Sequence, residues 1–185
     1  MAIELVYETH STTVDNEAGI ATGWREGRLS EAGRAQARAL GERRHDDGLA
    51  AVFTSDLGRA VETAQIAFAG SDLRVRRDWR LRECNYGDLN GSPVAEVDAV
   101  KPTCIDEPFP NGESYRQVVE RTRSFLNELF PELDGSRVLL IAHSANRWAL
   151  QHLLLGASLD GLIGAPFEWQ EGWEYALPGQ LPAQG

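Results

Sequence analysis

Two apolar runs, Ile3–Tyr7 and Val138–Ala142, each end close to a histidine. His10 lies just beyond the first run, and His143 directly follows the second. Short apolar runs bounded by turn residues mark strands buried on both faces, which belong to parallel sheets covered by helices. In an open α/β sheet, ligands bind outside the carboxyl ends of the strands. Both histidines therefore fall where such a fold builds its site.

The rest of the chain alternates accordingly. Ser30 is placed to cap a helix through about Arg44, with Ala32, Ala35, Ala39 and Leu40 on its apolar side. Ala50–Thr54 reads as a short strand, and Asp56 is placed to cap a second helix to about Ala69. Leu73–Arg76 reads as a weaker edge strand. Helical periodicity returns over Glu113–Leu129 through Tyr115, Val118, Val119 and Phe125. Arg137–Ala142 is the strongest strand, and Asn146–Leu155 is the helix after it. Trp173–Leu177 reads as a last edge strand and Pro178–Gly185 as a frayed tail. This order predicts a three-layer α/β/α sandwich with a mostly parallel sheet, in one domain spanning residues 1–185. Between Cys84 and Gly112, the residues Pro93, Pro102, Pro108 and Pro110 argue against long helices. An irregular segment of that length predicts a lid or specificity insertion.

Composition narrows the function. Among 185 residues, 42% are apolar and 25% charged, enough for a full hydrophobic core. The net charge of −10, with no basic stretch to offset it, argues against nucleic acid or an anionic membrane as partner. A small anionic substrate stays compatible, because a pocket of arginine and histidine can oppose the global charge. Cys84 and Cys104 fit neither a metal spacing nor a disulfide framework, and read as reduced thiols. With no signal segment and no long apolar run, a cytoplasmic protein is expected.

Two further residues join the histidines. Arg59 opens a helix in Ser55-Asp56-Leu57-Gly58-Arg59-Ala60, and Glu83 lies in the loop Leu81-Arg82-Glu83-Cys84-Asn85-Tyr86-Gly87. Phosphoryl transfer needs an in-line nucleophile, positive donors on the equatorial oxygens and an acid for the leaving oxygen. Two imidazoles, a guanidinium and a carboxyl group would suffice. On local grounds each residue also has an ordinary role: a packed histidine, an arginine paired with Glu62 or Asp56, a solvated loop glutamate.

These residues sit in motifs that resemble the histidine phosphatase superfamily, with its phosphoglycerate mutase-like fold. Thr9-His10-Ser11-Thr12-Thr13-Val14-Asp15-Asn16 matches the family's opening motif at the histidine, the threonine and the asparagine. Leu29-Ser30-Glu31-Ala32-Gly33-Arg34-Ala35-Gln36-Ala37 matches its helix start, and Ser55–Ala64 its arginine motif. Leu81-Arg82-Glu83 with Tyr86-Gly87 and Gly91 matches the acid-bearing loop. Pro110-Asn111-Gly112-Glu113-Ser114 and Ala142-His143 complete the set, in the family's order over roughly residues 3–155.

The resemblance implies a phosphomonoester hydrolase acting on a small phosphorylated metabolite through a phosphohistidine at His10. Glu83 would be the proton donor and then the base, and His143 would stabilise the transferring group. Arg59, Asn16, Ser11, Thr13 and Ser144 would hold the phosphate. No metal or cofactor is implied.

The sequence also departs from the pattern. Thr9 stands where the family has an arginine, and Ser11 and Ser144 replace glycines. Arg147 comes one position before the family's later arginine, with Trp148 in its slot. Loss of one preorganised charged donor typically costs on the order of 10²–10³ in rate. Glu8, in a buried strand, needs a partner, and near the site it would repel a phosphate dianion. These features favour the alternative, a divergent member without phosphatase activity that binds a ligand or runs non-phosphate chemistry in the same pocket. Phe167-Glu168-Trp169-Gln170-Glu171-Gly172-Trp173 reads first as packing over the sheet edge. If exposed, it would mark a pocket wall or a homodimer surface.

Overall fold

The computed structural model describes residues 1–181. Five strands form the central sheet: β1 (Ile3–Thr9), β3 (Leu49–Thr54), β4 (Val75–Arg77), β6 (Arg137–Ala142) and β7 (Trp173–Leu177). Their order is β4-β3-β6-β1-β7. Four run parallel, and only the edge strand β7 is antiparallel, pairing with β1. A two-stranded ribbon of β2 (Ile20–Ala21) and β5 (Ser92–Pro93) stands apart.

Alternation along the strands divides the core into two faces. Val6, Val52, Leu139 and Ile141 pack with Leu40 of α2 (Glu31–Arg44) and Ala64 of α3 (Gly58–Ala67). Leu5, Tyr7, Phe53, Val138 and Leu140 face α5 (Tyr115–Leu133) and α6 (Ser144–Leu155), with α7 (Leu159–Gly164) beyond. The result is the expected three-layer sandwich. The short helices α1 (Val14–Glu17) and α4 (Val94–Val100) contribute Asn16, Val94 and Val97 to the same cavity that His10 lines. No described helix is long and apolar enough to cross a membrane.

Local chemistry sets the boundaries. Ser30 caps α2 by accepting from the Gly33 N–H, as expected. Asp56 does not cap α3: Leu57 occupies the cap position without a side-chain bond, because the Asp56 carboxylate takes the Arg82 guanidinium at 2.7 Å instead. Helix α5 carries a capping box, Ser114 with Gln117. It also runs past Pro131, keeping Phe130 and Leu133 against the core. Helix α6 starts two residues earlier than expected, since His143 is itself its extended N-cap residue. It ends on Gly156, whose φ of 69° suits glycine.

The segment 84–112 is less irregular than its prolines suggest. Pro93 sits at the cap of α4, and Pro102 opens a short 3₁₀ turn at Lys101–Cys104. At a helix start the missing proline N–H costs nothing. Both cysteines are free and buried. The expected frayed tail lies outside the described residues from position 182 onward.

Candidate active site

The parallel strands converge at their carboxyl ends on a cavity of about 620 Å³. His10 enters it from the loop after β1, where its backbone N–H still bonds the Ala142 carbonyl of β6. Its Nδ1 lies 2.8 Å from the Ser11 carbonyl. Its Nε2 lies 3.3 Å from Arg59 Nε. A guanidinium can only donate, so Nε2 carries the lone pair and Nδ1 the proton. The tautomer that a nucleophile at Nε2 requires is thus set by the backbone.

Arg59 also reaches the second histidine, its Nη2 lying 3.3 Å from His143 Nδ1. The remaining nitrogen of His143 lies 2.7 Å from Ser55 Oγ and therefore donates to it. The two imidazole centroids are 5.0 Å apart. Carbonyls of Gly23 and Arg25 hold the outer guanidinium nitrogens of Arg59 at 2.8 and 2.9 Å. The pairings open on local grounds do not form: Glu62 takes Arg34 and Asp56 takes Arg82.

Burial, followed by the nearby Arg59 charge, lowers His10 to a pKa of about 3. The same two causes, with a smaller contribution from His10, hold His143 well below its ordinary value. Both imidazoles are neutral near pH 7. Burial also lowers the Arg59 guanidinium, and Glu83 opposes that shift.

Glu83 faces the cavity from the loop after β4. Its Oε1 accepts from the Cys84 and Ala145 N–H groups at 2.7 and 3.3 Å, and its Oε2 accepts from Ser144 Oγ at 3.0 Å. Ala145 belongs to the first turn of α6, where N–H groups lack helical partners. Arg82 does not compete for the carboxylate, because it turns to Asp56 and stacks over Trp24 at 4.6 Å.

The expected phosphate holders separate into two groups. Asn16 and Ser144 line the cavity beside His10 and Arg59. Thr13 is fully buried, and its hydroxyl caps α1 by accepting from the Asn16 N–H. Ser11 is buried and gives its N–H to Thr63 Oγ1, which in turn donates to the Arg59 carbonyl. Thr13 and Ser11 therefore brace the His10 loop rather than line the cavity.

Glu8 does not enter the site. Strand alternation turns it to the α2 face, where Arg43 and Arg44 hold it at 3.1 and 2.8 Å. Arg147 also lies away from the histidines, stacked beneath Phe167 and Trp173. Trp148 is buried against Tyr115. Thr9 lines the cavity with a hydroxyl where the resemblance would place a guanidinium.

Several supporting residues were not legible beforehand. Trp24 Nε1 and Arg121 Nη2 both donate to the Glu83 carbonyl, at 2.7 and 2.9 Å. Arg121 is itself held by Glu113. The Asn146 amide, oriented to satisfy its neighbours, donates to the Leu81 and Arg82 carbonyls. Gln36 lines the cavity and accepts from the Thr12 N–H. About one turn earlier in the same helix, Gly33 allows α2 to press on the His10 loop: a Cβ there would lie 1.8 Å from the Thr12 carbonyl oxygen.

Comparison with known proteins agrees with this geometry. The histidine phosphatase superfamily (branch 1) matches residues 9–168, and the chain belongs to that superfamily. It is 33% identical over 175 residues to a 2,3-bisphosphoglycerate-dependent phosphoglycerate mutase of Methylobacterium sp. (strain 4-46), covering 86% of this chain and 84% of the relative. It is similar to the structure of a mycobacterial glucosyl-3-phosphoglycerate phosphatase complexed with VO3, with a TM-score of 0.79 and 30% identity over 88% of this chain and 87% of that one. It is also similar to YhfR of Bacillus stearothermophilus, with a TM-score of 0.81 and 29% identity over 92% and 88%. Family and relatives support a phosphoryl-transfer enzyme.

Proposed function

We propose that the chain, as one domain over residues 1–185 with a lid at 84–112, hydrolyses a small phosphomonoester in the cytoplasm through a phosphohistidine at His10. One observation carries this reading. His10 carries its lone pair on Nε2, where it accepts from the Arg59 guanidinium at the cavity, and its proton is fixed on the far nitrogen by the Ser11 carbonyl.

In the first step Nε2 attacks phosphorus, the P–O bond to the leaving group breaks, and Glu83 gives the leaving oxygen a proton. In the second step Glu83 takes a proton from water, the water oxygen attacks phosphorus and the P–N bond breaks. Arg59 is aimed at both histidines, so a phosphoryl group entering between them takes over the charge-assisted Nε and Nη2 hydrogen bonds that the imidazoles hold. A dianion there also draws a proton onto His143 Nδ1, making it a second donor. Asn16 adds a neutral donor, while the Ser144 hydroxyl, given to Glu83, ties the acid to the cavity wall.

The test is hydrolysis of p-nitrophenyl phosphate by the wild type and His10→Ala, without added metal, from about pH 5 to about pH 8. Turnover that disappears in the variant is expected. Equal turnover in both proteins would remove His10 from the reaction.

A further inference from the structure

Taking the phosphoryl-transfer reading above as given, the remainder of the cavity points to the leaving group. Of the seven large apolar side chains left exposed among the described residues, three, Val94, Phe167 and Trp169, line this one cavity. Trp169 is 58% exposed, a large apolar area to leave in water without a partner. Ile20 and Val97 add apolar lining to the same cavity.

The charges in the lining say what the wall does not accept. Besides Arg59 and Glu83, the only charged lining residues described are Lys101 and Asp98. These two are paired at 2.5 Å, and the Lys101 ammonium also lies over the Trp148 ring at 5.5 Å. A carboxylate or second phosphate on the substrate would need a cation of its own, and the cavity offers none unpaired. The aromatic side is held in place. Arg147 stacks under Phe167 at 5.3 Å and under Trp173 at 4.6 Å, and its Nη1 donates to the Glu168 carbonyl.

We infer that the substrate is a phosphomonoester of an apolar, preferably aromatic, alcohol, with Trp169 and Phe167 covering its ring and Arg147 positioning them. Because Arg147 touches no reacting atom, it acts through Phe167.

The experiment compares benzyl phosphate with 3-phosphoglycerate, both alkyl monoesters, in wild type, Trp169→Ala and Arg147→Gln. Binding of benzylphosphonate and of 3-phosphonopropionate is measured alongside. Benzyl phosphate is expected to have the higher kcat/KM. Trp169→Ala should lower the ratio of the two kcat/KM values about tenfold. Arg147→Gln should lower it in the same direction, through KM rather than kcat. If neither ester turns over but benzylphosphonate still binds more tightly and Trp169→Ala removes that preference, hydrolysis is wrong and the ligand class stands. A preference for 3-phosphoglycerate, or a ratio unmoved by Trp169→Ala, would overturn the inference and leave the hydrolase reading intact.

Discussion

Arg59 Nε lies 3.3 Å from His10 Nε2 while Arg59 Nη2 lies 3.3 Å from His143 Nδ1, so one guanidinium faces both imidazoles. That contact fixes which nitrogen of each ring is basic, and it adds to burial, the larger cause, in keeping both rings neutral. It also leaves a planar, fully desolvated donor where a phosphoryl oxygen would sit.

Replacing that donor should be costly even when the charge is kept. An ammonium is a point charge and cannot span two imidazoles while bonding the Gly23 and Arg25 carbonyls. Arg59→Lys is expected to lower kcat by about 10²–10³. Steady-state kinetics on p-nitrophenyl phosphate checks this, and a loss below tenfold would contradict it.

The pH dependence has a definite sign. His10 titrates near 3 in the folded chain and near 6.5 when unfolded. Between those values the unfolded state binds the extra proton, so stability is full above pH 6.5 and falls as pH drops toward 3. His143 acts in the same direction. His10→Gln should flatten the fall in stability across that window, by an amount on the order of a few kcal/mol, with a correspondingly smaller drop in melting temperature. Thermal scans at stepped pH read it, and an unchanged slope would mean that His10 is not held neutral.

The strands and helices were largely legible, because short apolar runs, helical periodicity and the cap at Ser30 are local properties. His10, Arg59, Glu83 and His143 were legible because each carries its chemistry in its own motif. The fate of Glu8 was not, since its partners Arg43 and Arg44 lie a whole helix away and only the sheet's facing places them together. Thr13 and Ser11 were expected as phosphate holders from the family resemblance, which places them by their spacing from His10. Spacing cannot tell a hydroxyl that faces a ligand from one consumed by a cap or a loop brace. Asp56 failed as a cap for a similar reason: Arg82, from a distant loop, outcompeted the helix N-terminus.

Glu8 itself gives a prediction that separates structure from catalysis. Glu8→Gln leaves the two guanidiniums of Arg43 and Arg44 without their shared, buried carboxylate. Stability should fall by about 3 kcal/mol, while kcat at a temperature where the variant is folded stays within about twofold. Denaturant unfolding together with kinetics checks both halves. A large change in kcat would place Glu8 in the reaction.

Thr9 lines the cavity beside His10, at the position where the superfamily resemblance expects a guanidinium. Thr9→Arg is expected to raise kcat/KM on a phosphomonoester by about tenfold or more and to tighten vanadate inhibition. A fall in both would show that the pocket has been reshaped around a neutral side chain.

The central claim is that phosphorus passes through His10 Nε2. The most direct measurement is rapid alkaline quench of the enzyme with substrate, followed by mass spectrometry of the peptide carrying His10. A single phosphoryl adduct on His10, lost on acid treatment and absent from His10→Ala, is the predicted result. Steady turnover with no adduct on His10, or with the adduct on another residue, would contradict the mechanism.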